Sequence, residues 1–594
     1  MAVICPENLA SFYKAPASML ILLTIFILLF TPLAMLILRL VRPKFQFQGF
    51  LVILAVLGGW ILVMLSRGYA SLLIHLPSWE PASFFPTSPV LLVDDISKNF
   101  ALAIMSLSLA SISASIAQLG QSFRHDQNMR AQLHHSAGTQ ASAVEAGGAG
   151  EPALDEPTYA PSTWQSWAGM LILTGLGLLA SISGNLLTLL LAWAGLDVME
   201  LFVLLGQVLE SRSRERIILA FTARMAGIGT VLLAGIIPWS QGASLSFDAI
   251  SQSTSIYLIL AAGIRLGVLP LYLPYGHVLP VSRGLGTILR LVPAASSFIL
   301  LVRVSFVGVV GPASNYLVGL TILAGLFASI NWMNARDETN GRPYWLLGTA
   351  SLAVISAIMN RPVACLAWSM TSILSGGLVF SMVVRHRNLL PLAFMGIFSL
   401  TALPFSPTWM SASLYEYSGP LVSWIPRGLF YLFALAILLT HAFLLVGFIR
   451  HALRGIIQND AQRAEHIERW VWLLYPLGLG IIIATHFLIG WFLYPDTHEV
   501  TAFGWLAGIS VVAISGLLWF VVRRYPHLLS YRLLSAKTSP LNRFISLEWI
   551  YPQFWKIYRF LTRLSSLFST ILEGDGGILW AMVLFALIFV FLQR

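Results

Sequence analysis

The sequence predicts an all-α polytopic membrane protein with about sixteen transmembrane helices, some of them broken, and a C-terminal amphipathic helix. Hydrophobic residues make up 57% of the 594 residues and charged residues only 10%, whereas soluble domains carry about 25% charged residues. Apolar runs of about 18 residues or more recur along most of the chain, and each is long enough to cross a hydrocarbon core of ~30 Å. Lys and Arg cluster between these runs, so membrane topology explains the net charge of +10 better than nucleic-acid binding does.

The order of the spans and the distribution of basic residues support each other. The predicted spans begin near residues 17, 49, 98, 166, 185, 217, 255, 280, 315, 344, 363, 390, 424, 470, 502 and 577. Basic segments follow the odd-numbered spans, whereas the segments after even-numbered spans are poor in Lys and Arg. Because cytoplasmic loops carry the excess of Lys and Arg, this alternation predicts an N-terminus outside the membrane.

The chain is expected to divide into six segments. They are the first three transmembrane helices (1–120), a disordered cytoplasmic loop (121–165), a transmembrane core (166–415), C-terminal transmembrane helices (416–522), an amphipathic surface helix (523–576) and a final transmembrane anchor (577–594). The loop is rich in Ala, Gly, Ser, Gln and Glu, which bury too little apolar surface to fold alone. The surface helix is predicted because apolar positions recur at helical spacing from Phe554 to Leu572, with basic residues on the other faces.

Several kinds of site are not expected on this chain. Cys5 and Cys365 are the only cysteines and lie far apart, which excludes a disulfide framework and a Cys-ligated cluster. No Gly-rich phosphate loop, metal constellation or nucleophile–base arrangement is visible in the sequence. We therefore expect no cofactor, no metal ion and no catalytic residue on this chain.

Ionisable residues inside the predicted spans are the most informative ones, because a charge at the bilayer centre costs roughly 2.5–3.5 kcal/mol. They are Asp197 and Glu200 in the fifth span, Arg265 in the seventh and Arg290 in the eighth, with His441 and His486 in later spans as side chains that can be neutral. One interpretation is a proton or cation pathway in which buried acidic and basic groups perturb one another. The other is a set of static ion pairs that fixes the helix register. Since arginine is effectively never deprotonated, the two arginines would tune their neighbours or hold water rather than carry protons.

Prolines follow two of these charges. Pro270 and Pro274 come after Arg265, and Pro293 comes after Arg290. A proline inside a span removes a backbone hydrogen bond and bends or breaks the helix. Broken helices next to buried charge expose backbone carbonyls to an ion path in transporters, so we predict helix breaks at these three positions.

Four segments of the chain carry a family resemblance. They are "LLVDDISKNFALAI" (91–104), "SGNLLTLLLAWAGL" (183–196), "GIRLGVLPLYLP" with the following "LPVS" (263–282), and "SLTALPFSP" (399–407). In their order and spacing they resemble the antiporter-like proton-translocating subunits of respiratory complex I (NADH-quinone oxidoreductase), of multisubunit cation/proton antiporters and of membrane-bound hydrogenases. The resemblance runs from about residue 90 to 415, and the C-terminal amphipathic stretch with its last span resembles the lateral helix and anchor of the longest such subunit.

The resemblance implies a line of ionisable residues through the membrane, and this chain departs from that line. The fifth-span glutamate of the family, which follows Trp, falls on Ala194, and Asp197 lies one turn further along the same face, with Glu200 another turn on. The seventh-span lysine falls on Arg265, which keeps the charge but loses the ability to titrate. In the eighth span Arg290 is the nearest basic residue.

The second half of the resemblance lacks its charges. The twelfth-span Lys or Glu of the family falls on Ala412, with Glu416 nearby. The central Lys and His positions of the tenth and eleventh spans find only Trp368, Ser369 and similar neutral residues. We therefore expect the region from about 315 to 415 to be nearly without buried charge.

The resemblance implies a membrane-arm subunit of a complex I-like respiratory complex that takes part in proton translocation coupled to quinone reduction. Two alternatives stay open: a degenerate, non-conducting scaffold subunit of such a complex, and a component of a multisubunit cation/proton antiporter. Any enzyme activity would belong to the assembled complex, with the redox chemistry on other subunits. The expected partners are other membrane subunits and the lipid bilayer, without nucleic acid, and the expected location is a bacterial inner membrane.

Overall fold

The computed structural model confirms the all-α polytopic membrane class. It describes residues 16–42, 48–76, 88–139, 163–208, 210–240, 245–247, 250–273, 281–384, 386–417, 426–454, 469–492 and 502–524, with scattered positions between 552 and 588. The chain forms two compact units, Met1–Leu533 and Leu534–Arg594. Over the described residues it is almost entirely helical, with one antiparallel hairpin of two short strands, β1 (Leu72–His75) and β2 (Val90–Val93).

The helices follow the order that the apolar runs predict. They are α1 (Pro16–Val41), α2 (Gln48–Ser66), α3 (Asp95–Thr139), α4 (Trp164–Ser181), α5 (Leu186–Gln207), α6 (Ser211–Ser240), α7 (Gln252–Leu266), α8 (Arg283–Val304), α9 (Ala313–Asn334), α10 (Glu338–Ile358), α11 (Pro362–Met370), α12 (Gly376–Ser381), α13 (Leu390–Phe398), α14 (Arg427–Leu453), α15 (Arg469–Phe492) and α16 (Ala502–Arg524). A π-helical turn, Thr371–Ser375, joins α11 to α12, and 3₁₀ segments cover Arg387–Leu389 and Pro407–Tyr415.

Eleven of the helical stretches in the described ranges are long and apolar enough to cross a membrane. All but the last of the predicted spans begin close to the start of an observed helix. Some of the predicted spans are short helices rather than full ones: α7 has 15 residues and α13 has 9. The last predicted span, 577–594, lies largely outside the described residues, where the few described positions are helical.

α3 and α8 form the centre of the first unit. The apolar part of α8 is completely buried and that of α3 is 94% buried, whereas those of α1, α2 and α6 are 39% buried and expose most of their surface on the outside of the bundle. The two central helices approach closely because Gly284 of α8 lies against Ser111 and Ser115 of α3, where a Cβ would overlap their atoms. Small residues at such a crossing let two backbones pack together in a membrane.

Two features depart from the predicted segments. α3 continues to Thr139, so the predicted disordered loop (121–165) begins as helix and that start is wrong. The physical reason is that its first part holds Gln, Arg, Met, Ala and Leu, which are good helix formers, before the Gly-rich part begins. Residues 140–162 lie outside the described residues. Most of the predicted surface helix (523–576) also lies outside them, although its described positions are helical and exposed.

The start of α10 is fixed by an N-cap. One carboxylate oxygen of Asp337 accepts hydrogen bonds from the backbone N–H groups of Thr339 (2.9 Å) and Asn340 (2.7 Å). Burial raises the pKa of Asp337, but the hydrogen bonds from Thr339 and Asn340 together lower it by more. The pKa of Asp337 therefore lies below its usual value. The cap places the first turn of α10, with Glu338 and Arg342, against α8.

Candidate functional site

Asp197 and Glu200 lie on the buried face of α5. The helix begins at the N-cap Asn185, whose side-chain oxygen accepts a hydrogen bond from the backbone N–H of Thr188 (2.8 Å). From there the buried positions recur at helical spacing and include both acids, whereas Phe202 on the other side is 66% exposed. Because the apolar outer face meets lipid or a neighbouring subunit, both carboxylates point into the helix bundle.

Arg265 of α7 forms a bidentate ion pair with Asp197. Its Nη2 donates to Oδ1 of the carboxylate at 2.8 Å, and its Nη1 donates to Oδ2. The Nε of Arg265 donates to the hydroxyl of Ser297 on α8 (3.3 Å), and the guanidinium lies over the ring of Trp193, 4.1 Å from its centroid. Two parallel hydrogen bonds and a cation–π contact hold the arginine in one orientation.

A second ion pair, which was not predicted from the sequence, lies beside the first. Arg224 of α6 donates to the carboxylate of Glu200, and its Nη1 is also 3.8 Å from Oδ1 of Asp197. The signal for it was present, because Arg224 is the one charged residue in a long apolar part of the sixth predicted span. The two acids and two arginines thus form a single buried cluster between α5, α6 and α7.

Gly227 allows α6 to approach this cluster. A Cβ at this position would lie 2.6 Å from Cγ of Arg265 and 3.1 Å from the backbone oxygen of Ala261. Both distances are too short for an ordinary contact, so only glycine fits without movement of the neighbours. The backbone of α6 therefore packs directly against the arginine of the Asp197 pair.

Arg290 joins the cluster across a small cavity. Its Nη1 donates weakly to the backbone oxygen of Gly286 in the same helix (3.5 Å). The cavity has a volume of about 10 Å³, enough for one water molecule. It is lined by Arg224, Arg265, Arg290, Pro293, Ala294, Ser297, Pro343 and Leu346. All four pathway residues predicted from the sequence are therefore buried in one region, although the ion pairs use Arg224 in addition.

The chain leaves the helix directly after Arg265. α7 ends at Leu266, and Gly267 adopts the left-handed conformation (φ 79°), which favours glycine. The backbone N–H groups of Val268 and Leu269 then donate to the carbonyl of Gly263 (2.8 and 3.3 Å). The helix ends before Pro270, the residue predicted to break it, and Pro270 lies in the turn that follows.

The other two predicted breaks have different outcomes. Pro274 lies outside the described residues. Pro293 lies inside α8, which continues without interruption to Val304, so the predicted break there is wrong. Proline lacks the N–H that would donate to the carbonyl four residues earlier, and membrane helices tolerate this loss where the surrounding protein buries the backbone. The hydroxyls of Ser296 (2.6 Å) and Ser297 (3.3 Å) donate to the carbonyl of Pro293 itself, which lies on the C-terminal side of that gap.

The second half contains more buried charge than expected. Glu338 and Arg342 at the start of α10 are both 3% exposed, which corrects the prediction of a nearly uncharged region. Glu338 pairs with Arg283 of α8, and Arg342 donates to the backbone oxygen of Arg283 (3.2 Å). The sequence placed these residues in a basic loop because the apolar part of the tenth span begins only after them. Packing against α8 buries them nevertheless.

Hydroxyl and imidazole groups surround the π-helical turn. Ser375 lies 3.3 Å from Nδ1 of His486 on α15 and 3.1 Å from the hydroxyl of Ser399, while Thr371 lies 3.4 Å from Nε2 of the same imidazole. The hydroxyls of Thr349 and Ser372 are 2.8 Å apart. π-turns inside α-helices occur frequently at functional sites.

A second imidazole lies near Ala412 and Trp368, two of the positions where the resembled family carries charge. His441 of α14 contacts the hydroxyl of Tyr415 (2.9 Å) and the backbone oxygen of Leu400 (2.7 Å). Its ring meets Trp368 edge-on, with the centroids 4.7 Å apart. Ala412 is buried, while Glu416, whose backbone oxygen accepts a hydrogen bond from Arg361 (3.2 Å), is only partly buried. Polar groups in this region are thus mostly neutral.

Comparisons with known proteins identify the fold. No family model and no curated protein matches the chain. Among solved structures, a chain of the Mrp complex from Dietzia sp. has a TM-score of 0.65 at 12% identity, and the match covers 97% of this chain and 63% of that one. A chain of the membrane-bound sulfane sulfur reductase, an archaeal respiratory membrane complex, has a TM-score of 0.57 at 13% identity and covers 96% and 99% of the two chains.

A chain of respiratory complex I from Thermus thermophilus with bound aureothin has a TM-score of 0.51 at 16% identity, and covers 79% of this chain and 98% of that one. The present chain spans 63% of the length of the Mrp chain. These likenesses confirm at the level of the fold the resemblance read from the four sequence segments. The fold is one found in large multisubunit membrane complexes.

Proposed function

We propose that this chain is a membrane-arm subunit of a complex I-like respiratory complex and takes part in proton translocation coupled to quinone reduction on other subunits. The observation that carries the proposal is the buried Asp197–Arg265 pair, which bridges α5 and α7 where α7 ends. A buried ion pair is poor support for stability, since apolar residues of similar volume often do as well or better. Its presence deep in the bundle therefore favours a role in handling charge.

The proton-binding group in this proposal is the carboxylate of Asp197. Arg265 keeps its charge throughout, because a guanidinium is not deprotonated in proteins. When the pair is closed, the arginine stabilises the ionised carboxylate. When Arg265 moves away, a buried carboxylate without its partner is stabilised by taking up a proton, since an isolated charge in a low dielectric is costly. Opening and closing of the pair thus couples helix movement to proton uptake and release.

Arg224 can form an ion pair with either of the two acids. It pairs with Glu200 and lies 3.8 Å from Oδ1 of Asp197, so a small movement would transfer its contact from one acid to the other. Glu200 lies one turn beyond Asp197 on the same face of α5 and is the next proton acceptor in the proposal. Movement of Arg265 is accommodated at the end of α7, where the backbone leaves the helix.

The pathway would continue towards the second half through Arg283 and Glu338 and then through neutral groups. Ser375, His486 and Ser399 form a set of contacting hydroxyl and imidazole groups at the π-helical turn. Such groups both donate and accept hydrogen bonds, so with bound water they can relay a proton without carrying a permanent charge. In this proposal the hydroxyl and imidazole groups take the role of the Lys and His side chains that this chain lacks.

The partners and the membrane location are proposed from the fold and from the charge distribution. We propose other membrane subunits as partners, because the solved structures with a similar fold are chains of multisubunit membrane complexes. As the location we propose a bacterial inner membrane with the N-terminus outside, from the distribution of basic residues. The likeness to the Mrp complex favours one second candidate, a component of a multisubunit cation/proton antiporter. Both functions use the Asp197–Arg265 pair in the same way.

The test is the assembled complex reconstituted in vesicles with Asp197→Asn or Arg265→Gln. We expect both variants to lose most of the proton translocation per electron transferred, because neither retains the switchable ion pair. Asp94→Asn is the matched control, since Asp94 forms an ion pair with Arg303 of α8 (3.1 Å) away from the site. If both site variants translocate protons as the wild type does, the chain is a scaffold and the proposal is wrong.

A further inference from the structure

We propose that His451, in the last turn of α14, takes up protons from the cytoplasmic surface and passes them to Glu338. This inference rests on the function proposed above, in which Arg283 and Glu338 connect the acid–arginine cluster to the second half. It follows from the hydrogen bonds of the imidazole, from the groups around it and from its position at the end of the helix.

One ring nitrogen of His451 forms a hydrogen bond and the other does not. The residue is 3% exposed, and its Nε2 lies 3.1 Å from the backbone oxygen of Trp332 in α9. Because a carbonyl oxygen only accepts, Nε2 carries the hydrogen and donates it. In the neutral ring Nδ1 then holds a lone pair, and this atom is buried without a hydrogen-bond partner. His451 therefore has a buried position at which a proton can bind.

Within the described ranges, the other two buried imidazoles use both of their nitrogens. His441 contacts the hydroxyl of Tyr415 and a backbone oxygen, and His486 lies within 3.4 Å of two hydroxyls at the π-helical turn. A buried polar atom without a partner costs free energy, and such atoms in native proteins call for an explanation. Proton uptake explains why Nδ1 of His451 is kept free.

The surroundings of the imidazole both attract and repel a proton. The ring lies against the indole of Trp332, with the centroids 4.3 Å apart, and an aromatic face attracts a cation. Among the described residues, Glu338 of α10 also attracts an imidazolium, whereas Arg450 and Arg454 of α14 repel it. Because these effects oppose each other, His451 can gain a proton and lose it again.

The imidazole lies one turn from the aqueous surface. α14 ends at Leu453, and the next residue, Arg454, is exposed. Arg336, in the turn between α9 and α10, is exposed as well, and its backbone oxygen accepts a hydrogen bond from Arg454. In the proposed orientation this end of the bundle faces the cytoplasm. A proton therefore has only a short distance to cover between bulk water and His451.

On its other side, the imidazole is linked to the first turn of α10 through Trp332. A Cβ at Gly341 would lie 2.5 Å from two atoms of the indole, so the ring packs directly on this turn. Glu338 begins the turn and pairs with Arg283 of α8. His451, Trp332 and the start of α10 thus form one contiguous group that ends at the proposed pathway.

Proton transfer then has two steps. A proton from the cytoplasmic surface binds to Nδ1 of His451 and gives an imidazolium that carries N–H on both nitrogens. Its Nδ1–H then gives this proton to the carboxylate of Glu338, and the imidazole returns to its neutral form. The neutral carboxyl group binds Arg283 less strongly than the carboxylate does, because the ion pair is lost. Proton arrival at Glu338 is thereby signalled to α8.

The test uses His451→Gln in the assembled complex reconstituted in vesicles. A glutamine amide can donate to the carbonyl of Trp332 as the imidazole does, but it does not bind a proton. We expect this variant to lower proton translocation per electron as far as Asp197→Asn does. The double variant with Glu338→Gln should lose no more than either single variant, because both residues act in one route. His75→Gln, at an exposed histidine of β1, is the matched control and should translocate as the wild type does.

The outcomes separate this inference from the proposed function. Normal translocation in His451→Gln, together with a loss in Asp197→Asn, would overturn the inference and leave the proposed function in place. Normal translocation in both variants would overturn both.

A second readout does not depend on assembly of the complex. In ¹⁵N spectra of the full-length, histidine-labelled chain in lipid bilayers, the chemical shift of each ring nitrogen shows whether it carries a proton. We expect one signal, absent in His451→Gln, from an unprotonated Nδ1 that gains a proton in acid while the protein stays folded. A nitrogen that stays unprotonated until the chain unfolds would overturn the inference.

Discussion

Asp197 and Arg265 come from neighbouring helices, and the environment of each side chain restricts it. The carboxylate receives two hydrogen bonds from the guanidinium, and Trp193 and Ser297 hold the guanidinium from two further directions. Compared with the family that the four sequence segments resemble, the acid lies one turn along the helix from Ala194, at Asp197, and an arginine stands at the lysine position. A carboxylate one turn further along still meets the basic residue because arginine reaches further than lysine and binds in a bidentate manner.

For these two residues we predict that the Asp197–Arg265 ion pair serves function and adds little to the free energy of unfolding. Asp197→Leu alone leaves the guanidinium buried without its acid and should lower the free energy of unfolding by about 3–5 kcal/mol. The double variant Asp197→Leu with Arg265→Met should recover most of this loss, since two apolar side chains of similar volume pack without desolvating a charge. The measurement is reversible unfolding in detergent or bicelles.

The double variant should nevertheless fail to translocate protons in the assembled complex. A double variant that is as unstable as Asp197→Leu would show that the pair contributes to stability in its own right. That result would favour the static interpretation of these charges.

The buried charges that were predicted from the sequence differ from those that were not in their position relative to the apolar runs. Asp197, Glu200 and Arg265 stand within long apolar runs, so their cost in a membrane is visible without a structure. Glu338 and Arg342 stand at the edge of an apolar run, where the sequence reads as a loop. Whether such a residue is buried depends on the helix that packs against it, and that information is tertiary.

At the scale of the elements, apolar periodicity was a reliable guide. Apolar periodicity predicts where most of the described helices begin, and the fifth-span segment "SGNLLTLLLAWAGL" contains Asn185, the N-cap of α5. Prolines were a poorer guide. α7 ends at Leu266, before Pro270 and next to the left-handed Gly267, while α8 continues through Pro293. A proline removes one donor wherever it stands, and the packing around it determines whether the helix continues: every residue of α8 is buried on both sides of Pro293.

The contact between α6 and α7 leads to a prediction about two glycines. Gly227→Ala should displace Arg265, because the added Cβ would be 2.6 Å from its Cγ. We expect a lower Tm and reduced proton translocation in the complex. Gly229→Ala is the matched control: a Cβ there meets nothing within 4 Å, so it should raise helix stability by up to about 1 kcal/mol.

Equal Tm values for the two glycine variants would mean that α6 moves away from α7 at little cost. In that case the close approach at Gly227 would not hold Arg265 in position.

At the scale of the whole molecule, the described helices bury different polar groups in the two halves. The first half holds the acid–arginine cluster, and the second half holds Glu338 and Arg342 at the start of α10 and, further along, hydroxyls and imidazoles around the π-helical turn and His441. The fold class was predictable because hydrocarbon thickness fixes the length of a span. The proposed proton route through the second half was not predictable, because its Ser, Thr and His side chains look like ordinary core residues in the sequence.

The central claim is that Asp197 binds and releases a proton as the complex turns over. Infrared difference spectroscopy of the reconstituted complex measures this directly, because a protonated carboxylic acid has a carbonyl band that a carboxylate lacks. We expect turnover to change such a band in the wild type and in Asp94→Asn, and we expect this change to be missing in Asp197→Asn. An identical band change with and without the Asp197 carboxyl group would contradict it.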